Sequence, residues 1–411
     1  METIHTIAEL DAKIAECDRA GETSEDAMRA LLGGFRMEMP RNLPRDPFDP
    51  AYREAQLRLY EQITGHPYAP SHEVTKFDVD SALRRPFPLY TNSSFVAGEY
   101  FMAIGFVLQS MALPPGSRVL EFGAGWGWTS LLLAQLGHTV TVIDIEPCFC
   151  ELIERRAQKE GVEIEVINSD FFAIEGMDRQ FDAVLFYDCF HHCDDHLRLL
   201  KSLHEVVTPE GRVYFGAEPI ESGFPVPWGI RLDGWALWGV RKNGWMELGF
   251  RDDYFTRALA RTGWSGRRLG VAGQNRQRIW EARRRNHAGF RFAAGAPEIK
   301  TQIGHLAEGV LVLDGLKAGT AVYGPYIELS PGKYVARIGF KAGVQRHGTA
   351  KLDVCCNAGR KRLAERRVRD EEPAELAFTL HDDASDLEVR LFTERGYTAQ
   401  IDFVEIVPAA A

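Results

Sequence analysis

Short apolar runs alternate with helical patterns across the middle of the chain. Residues 139–143 and 181–186 are apolar runs of strand length, and a segment with helical spacing follows an earlier run at 119–120. Strands that alternate with helices favour a parallel sheet with helices on both faces. The pattern therefore predicts an α/β domain over residues 81–292.

The pattern differs on both sides of this domain. Residues 1–80 are polar, with apolar residues at helical spacing, so they predict an N-terminal helical extension. This extension would either cover the central domain or serve as a dimerisation arm, because a short isolated helix is marginally stable. Residues 296–411 contain short runs that alternate at period two, which predicts an antiparallel β-sandwich of jelly-roll type.

Composition narrows the class of protein. The chain has 411 residues, enough for two domains, and its net charge of -10 argues against a general binder of nucleic acid or anionic membranes. The longest apolar stretch, 101–113, is too short to span a bilayer, so no membrane span is predicted. The first twenty residues carry charges throughout, and the seven cysteines are an odd number. We therefore expect reduced thiols and a cytoplasmic location.

A glycine-rich loop holds the clearest chemical signal. Residues 118–127 read RVLEFGAGWG, an apolar strand followed by glycines at every second position and then by a helical run. Such glycines let backbone amides approach a ligand closely. The dinucleotide fingerprint needs a further glycine at 128, where this chain has Trp, and no Gly-Lys-Ser/Thr follows. The loop is therefore a poor match to NAD, FAD or nucleoside triphosphates.

This strand, ending in Glu121 before the glycines, resembles motif I of the class I S-adenosylmethionine-dependent methyltransferases. Four further segments follow in the order of that family: a strand ending in Asp144, a strand followed by Asp170, the strand 181–187, and the turn 208–211. The resemblance covers residues 80–290. It implies a Rossmann-like, mostly parallel sheet of seven strands, closed by antiparallel strands at 267–271 and 276–282. It also implies S-adenosylmethionine as the cofactor.

The cofactor offers several groups for recognition. Glu121 is predicted to meet its ammonium directly or through water, and Asp144 to accept hydrogen bonds from the ribose diol. The resemblance implies that Asp170 meets the adenine amino group and that Phe171 packs on the ring. The complete predicted cofactor site comprises Glu121, Gly123, Ala124, Gly125, Gly127, Asp144, Ile145, Asp170, Phe171 and Tyr187.

Two adjacent histidines follow the fourth strand of the predicted sheet. Methyl transfer from a sulfonium needs an acceptor held in line and a base for its proton. His191 and His192 are candidates for this base, because an ordinary histidine titrates near neutral pH. Asp188 would orient one of them, and the spacing does not decide which.

A metal is the alternative interpretation of the same residues. The series Asp188-x-x-His191-His192 resembles the acid-x-x-Glu-His element of ubiquinone-pathway O-methyltransferases, which marks a divalent-ion site. Here His191 stands where that family has Glu, so one hard oxygen ligand is lost. If Mg²⁺ binds, its ligands would be Asp188, His192 and Glu218.

The acceptor is predicted from a tryptophan-rich segment. Four tryptophans lie within residues 228–245, and flat aromatic faces with a few polar groups suit a sugar ring. The predicted substrate residues are Trp228, Arg231, Trp235 and Glu218. Arginines at 267–268, 276–278 and 283–285 would form a solvated face or, alternatively, meet a nucleotide-sugar pyrophosphate or an acidic glycan.

These observations predict an O-methyltransferase that acts on a sugar hydroxyl. The acceptor would be a surface-polysaccharide intermediate or a nucleotide-sugar, since the C-terminal region weakly resembles carbohydrate-module-like sandwiches of bacterial surface-glycan enzymes. Two alternatives stay open: a non-sugar acceptor such as a phenol, lipid or secondary metabolite, and a glycan-binding scaffold with a degenerate methyltransferase domain. A homo-oligomer is compatible with the helical extension.

Overall fold

The computed structural model describes residues 1–39, 42–270, 278–285, 289–329, 331–370, 372–381 and 384–409. The chain divides into two compact units, Met1–Arg284 and Arg285–Ala411. The predicted segments 1–80 and 81–292 both contribute to the first unit, and the predicted segment 296–411 lies in the second. Residues 271–277, which include part of the predicted closing strands and Arg276, lie outside the described residues.

The first unit begins with a helical extension. Its elements are β1 (Glu2–Ile4), α1 (Ile7–Gly21), α2 (Glu25–Leu32), β2 (Phe35–Met37), α3 (Pro50–Thr64) and α4 (Val79–Arg84). Each of the four helices is preceded by a Ser, Thr or Asp whose side chain accepts a hydrogen bond from a first-turn amide. The hydroxyl of Tyr52 donates to the carbonyl of Trp228 at 2.9 Å. This contact is the one expected of a cover on the central domain.

The central domain alternates strands and helices. Its elements are α5 (Ser94–Met111), β3 (Arg118–Phe122), α6 (Trp128–Gln135), β4 (Thr139–Asp144), α7 (Pro147–Glu160), β5 (Ile164–Asn168), β6 (Phe181–Tyr187), α8 (His196–Val206), β7 (Val207–Gly216), β8 (Trp228–Ile230), α9 (Gly234–Trp238), β9 (Leu248–Phe250), α10 (Asp252–Arg261), β10 (Trp264–Gly270) and β11 (Arg278–Arg284). Seven strands form one sheet in the order β10-β11-β7-β6-β3-β4-β5. The five strands from β7 to β5 run parallel, whereas β10 and β11 are antiparallel.

The strand order reverses at β3, which lies between β4 and β6. In an open α/β sheet such a switch point leaves a crevice at the carboxyl ends of the strands. Beneath it, Phe122, Phe186 and Phe215 from three neighbouring strands stack with centroid separations of 4.7 and 5.4 Å. These buried rings support the edge of the sheet where the candidate residues lie.

One helix among the described residues, α5, is long and apolar enough to cross a membrane by length and composition, and 22% of it is buried. This is weak evidence for a span, because core helices meet the same criteria. All seven cysteines have free thiols.

The second unit is built from antiparallel strands. They are β12 (Phe290–Ala293), β13 (His305–Ala307), β14 (Val310–Asp314), β15 (Gly319–Leu329), β16 (Gly332–Phe340), β17 (Thr349–Cys356), β18 (Lys361–Arg369), β19 (Glu375–Leu380), β20 (Ala384–Thr393) and β21 (Thr398–Pro408). One sheet has the order β13-β14-β21-β16-β19 with β12 beside β21, and the other has the order β15-β20-β17-β18. Buried residues of both sheets, such as Ile338 and Leu391, share one apolar core.

Candidate active site

A cavity of about 320 Å³ lies at the carboxyl ends of β3, β4 and β6. Its wall combines the loops after these strands with parts of the N-terminal extension and of the segment between α9 and β9. The lining residues are Tyr68, Pro70, Glu73, Thr75, Phe87, Tyr100, Gly123, Ala124, Gly125, Trp126, Ile143, Asp144, Ile145, Glu146, Phe149, Ser169, Asp170, Phe171, Phe172, Tyr187, Asp188, Cys189, His192, Cys193, Asp194 and Trp245. Eight of the ten predicted cofactor residues are among them.

The glycine loop joins β3 to α6 under tight steric limits. Gly123 and Gly127 have φ angles of 53° and 71°, in the left-handed region that favours glycine. A Cβ on Gly123 would lie 2.6 Å from the Cβ of Cys189, and one on Gly127 would lie 2.8 Å from Ile153. Gly127 therefore serves the packing of the loop, whereas Gly123 and Gly125 face the cavity.

Glu121 does not line the cavity. Its side chain is fully buried below the loop, where it accepts hydrogen bonds from the hydroxyls of Thr129 and Ser130 at the start of α6. Burial raises the pKa of Glu121 to about 7, against the opposing effect of these hydrogen bonds. These hydrogen bonds fix the helix beneath the loop. Because Glu121 does not line the cavity, its position does not support a direct contact with the cofactor ammonium, and a contact through water stays a prediction.

Asp144 and Asp170 both lie in the cavity wall, at the ends of β4 and β5. The carboxylate of Asp144 accepts from the amides of Gly125 at 3.0 Å and Glu146 at 2.9 Å, so it ties the glycine loop to the next loop. Burial raises the pKa of Asp144 to about 6. Asp170 accepts from the amide of Phe172 at 2.8 Å.

The two candidate histidines have different surroundings. His191 is buried away from the cavity, with Nδ1 2.8 Å from Glu218 and Nε2 3.6 Å from Glu247. His192 lines the cavity, and its Nδ1 lies 3.2 Å from Oε2 of Glu73. The structure therefore places one of the two, His192, where it could meet an acceptor.

Their charges differ as well. Burial and the neighbouring His192 lower the pKa of His191 to about 4, so it is neutral at ordinary pH. Burial also lowers the pKa of His192, but the charges of Glu73, Glu247 and Asp188 outweigh it and raise the value to about 10. His192 consequently carries a proton at neutral pH.

Asp188 and Glu218 have roles that differ from the predicted ones. The carboxylate next to the cavity histidine is that of Glu73, rather than that of Asp188, which lines the cavity with a φ of 57°. Glu218 is not a lining residue: it accepts from the amides of Cys189, Phe190 and His191, at 2.8 to 3.1 Å. Glu218 is thereby a buried support for the loop after β6, and its predicted substrate and metal roles are not supported.

The tryptophan-rich segment contributes a residue that the prediction did not select. Trp245 lines the cavity, whereas Trp228 is only 2% exposed and its indole donates to the carbonyl of Pro47 at 2.8 Å. Trp235 is exposed outside the cavity, under the guanidinium of Arg29. The structure therefore does not bring Trp228 and Trp235 to this cavity, since one is part of the core and the other is exposed elsewhere.

Arg231 also lies behind the wall rather than in it. Its guanidinium pairs with Asp233 at 3.1 Å and with Glu247 at 3.4 Å. Its partner Glu247 lies near His191, and none of these three residues lines the cavity. The sequence analysis did not select Tyr68 and Glu73 of the N-terminal extension, although both line the cavity, because no local motif marks them.

The predicted Mg²⁺ ligands do not come together as a set. Among the described residues, the side chains grouped closely enough to hold a metal are those of His191, His192 and Glu247, with ligand atoms within 4.8 Å of one another. Two imidazoles and one carboxylate suit a transition metal better than Mg²⁺, which prefers oxygen ligands. Asp188 and Glu218 fall outside this group, so the residues present do not fit the predicted Mg²⁺ site.

Residues 119–211 match the protein family described as "Methyltransferase domain". The chain contains a methyltransferase domain. This result supports S-adenosylmethionine as the cofactor and gives no support to Mg²⁺.

Similar proteins agree at the level of the domain. The chain is 33% identical over 99 residues to a ubiquinone biosynthesis O-methyltransferase of Methylocella silvestris, covering 24% of this chain and 39% of that protein. It is 34% identical over 118 residues to an uncharacterised methyltransferase of Oceanobacillus iheyensis, covering 28% and 54%. The chain thus spans only about half or less of these relatives, and their activities do not carry over to it as a whole.

Among solved structures, magnesium protoporphyrin IX methyltransferase from Synechocystis, with bound SAH, matches with a TM-score of 0.35 and 18% identity. The match covers 58% of this chain and 97% of that one.

Proposed function

We propose that the protein transfers the methyl group of S-adenosylmethionine to a hydroxyl of a small acceptor, with His192 as the general base. One observation carries this proposal. A single cavity joins the glycine loop, Asp144 and Asp170 on one side to the Glu73–His192 pair on the other. The glycine loop and these acids are intact, which argues against a degenerate domain that only binds glycans.

Bound S-adenosylmethionine supplies the methyl group, whose bond to sulfur breaks as the acceptor oxygen bonds to the carbon. The chain's own residues have to hold the acceptor and take its proton. His192 projects into the cavity, and Glu73 beside its Nδ1 orients the ring and stabilises the cation that forms. Because His192 must be neutral to accept a proton, turnover should rise with pH.

Glu73 is itself held at a junction of three segments. Its Oε1 accepts from the amide of Met246 at 2.8 Å, while its Oε2 lies near His192. The hydroxyl of Tyr68, from the same N-terminal stretch, lies 3.4 Å from the carbonyl oxygen of His192. The Glu73–His192 pair thus depends on the N-terminal extension and on the segment after α9, as well as on the sheet.

The acceptor that we favour is a sugar hydroxyl. Tyr68 and Trp245 lie near His192 in the cavity wall, and Tyr100, Tyr187 and the carboxylate of Asp188 line the same cavity. Flat apolar faces next to polar groups suit an amphipathic ring. The relatives named ubiquinone biosynthesis O-methyltransferases support oxygen as the methylated atom.

A transfer assay with labelled S-adenosylmethionine tests this proposal. The acceptors are simple glycosides, oligosaccharides and phenols, each with and without EDTA. We expect label on a sugar oxygen, unaffected by EDTA. Label on phenols alone would overturn the sugar acceptor, and tight cofactor binding with no product on any acceptor would overturn the transferase.

A further inference from the structure

The charge of the cavity wall is strongly one-sided. Six carboxylates and one histidine, His192, line it. The carboxylates are those of Glu73, Asp144, Glu146, Asp170, Asp188 and Asp194. No lysine or arginine is among the lining residues of the described chain. A wall of this kind attracts cations and repels anions, and the low dielectric of a cleft strengthens the effect.

Three arginines that contact residues of the wall or their neighbours are engaged with other groups. Arg53 forms an ion pair with Asp194, and Arg231 pairs with Asp233 and Glu247. The guanidinium of Arg156 contacts the carbonyl of Trp126 and lies 4.0 Å above the ring of Trp128. None of these three arginines is among the residues that line the cavity.

The arginine cluster near the end of the first unit is also engaged elsewhere. Arg267 and Arg283 both pair with Glu281, at 2.9 and 2.8 Å, and Arg268 pairs with Asp252 at 2.9 Å. None of the described members of this cluster lines the cavity. The predicted contact with a pyrophosphate or an acidic glycan thus has no arginine of this cluster at the cavity among the residues that the structure describes.

We infer that the acceptor carries no negative charge: it is a neutral glycoside or glycan terminus, rather than a nucleotide-activated or acidic sugar. This inference rests on the proposed function and narrows its substrate. A nucleotide-sugar brings a pyrophosphate, which proteins usually bind with arginine, lysine or a free helix N-terminus. Such a ligand would meet the carboxylates of Glu73, Asp188 and Asp194, and the described lining residues include no lysine or arginine to receive it. His192 and Arg53 are already paired with Glu73 and Asp194.

Matched acceptors isolate the effect of charge. Methyl glucoside and methyl glucuronide share one ring and differ in a single carboxylate, and the same design extends to the galactose pair and to nucleoside-diphosphate glucose. We expect kcat/KM to be at least about tenfold lower for each anionic member. Raising the salt concentration from 0.05 to 0.5 M should narrow this ratio, because salt screens the repulsion.

A variant tests whether the carboxylates of the cavity wall cause the preference for neutral over anionic acceptors. Asp194→Asn removes one carboxylate and releases Arg53, so the ratio between neutral and anionic acceptors should shrink several-fold. Asp195→Asn is the control, since Asp195 is adjacent in sequence but does not line the cavity, and its ratio should stay at the wild-type value.

The outcomes separate the two proposals. Equal or faster methylation of the anionic members, at low salt, would overturn the inference and leave the transferase intact. Absence of methylation on every acceptor, despite cofactor binding, would overturn the proposed function and the inference with it.

Discussion

The two halves of the cavity are assembled in different ways. The half that we propose for the cofactor, called the cofactor half, comes from loops that directly follow β3, β4 and β5, so each group stands next to the strand that positions it. The half that we propose for the acceptor, called the acceptor half, combines Tyr68 and Glu73 from the N-terminal extension with His192 after β6 and Trp245 after α9. Local chain geometry thus determines the first half, whereas the second depends on contacts between residues more than 100 positions apart.

The largest expected effect lies in the acceptor half, at His192. His192→Ala should lower kcat by roughly 10²–10⁴, because the proton acceptor is lost, while cofactor affinity stays unchanged. Steady-state kinetics and calorimetric titration with the cofactor measure the two quantities.

His191 provides the comparison for this variant. Because its ring is buried against Glu218 and Glu247, His191→Ala should mainly lower the free energy of unfolding, by about 1.5–3 kcal/mol. A normal kcat in His192→Ala, together with a large loss of kcat in a folded His191→Ala, would reverse the assignment of the base.

The next effect belongs to the cofactor half, at Asp144. Asp144→Ala should weaken cofactor binding by about 2–4 kcal/mol, or roughly 30- to 1,000-fold, with the loss of charge-assisted hydrogen bonds to the ribose and to the loop. Asp182→Ala is the matched control, since Asp182 also accepts a backbone amide, that of Arg118, but lies outside the cavity. Unchanged calorimetric affinity in Asp144→Ala would contradict the ribose assignment.

A pH profile tests the link between the extension and the base. The pKa of His192 is raised by Glu73, and His192 acts when neutral, so kcat should rise with pH in the wild-type protein. Glu73→Gln removes the negative charge and should move this rise to lower pH by about one to three units.

The pH at which kcat rises distinguishes an effect of Glu73 on the pKa of His192 from a purely structural role of Glu73. If Glu73 only held the fold, Glu73→Gln would reduce kcat at every pH without moving the rise. Glu61→Gln, an exposed substitution on α3, should leave the profile as it is.

Eight of the ten residues predicted for the cofactor line the cavity, and the sequence evidence for them is local. Their contacts with the cofactor stay a prediction. Gly123, Asp144 and Asp170 each follow an apolar strand, and the parallel sheet brings such positions to one edge. The seven-stranded sheet and the alternating strands of the second unit have similarly local patterns.

The acceptor half could not be predicted in the same way. Glu73 lies in a polar stretch with no motif, and it reaches His192 only because the extension packs on the central domain. Composition singled out the tryptophans, but burial decided their roles. Trp228 joined the core, Trp235 faced outward, and Trp245 reached the cavity.

The smallest expected effect separates two of these tryptophans. Trp245→Leu should raise the acceptor KM by about tenfold, because a stacking contact worth about 1.4 kcal/mol is lost, with little change in cofactor affinity. Trp235→Leu should leave the acceptor KM unchanged, because Trp235 is exposed outside the cavity. Equal KM values in the two variants would mean that Trp245 is a wall residue without a contact to the acceptor. If Trp235→Leu raised the acceptor KM more than Trp245→Leu does, the acceptor would bind at Trp235, as predicted from the sequence, and outside the cavity.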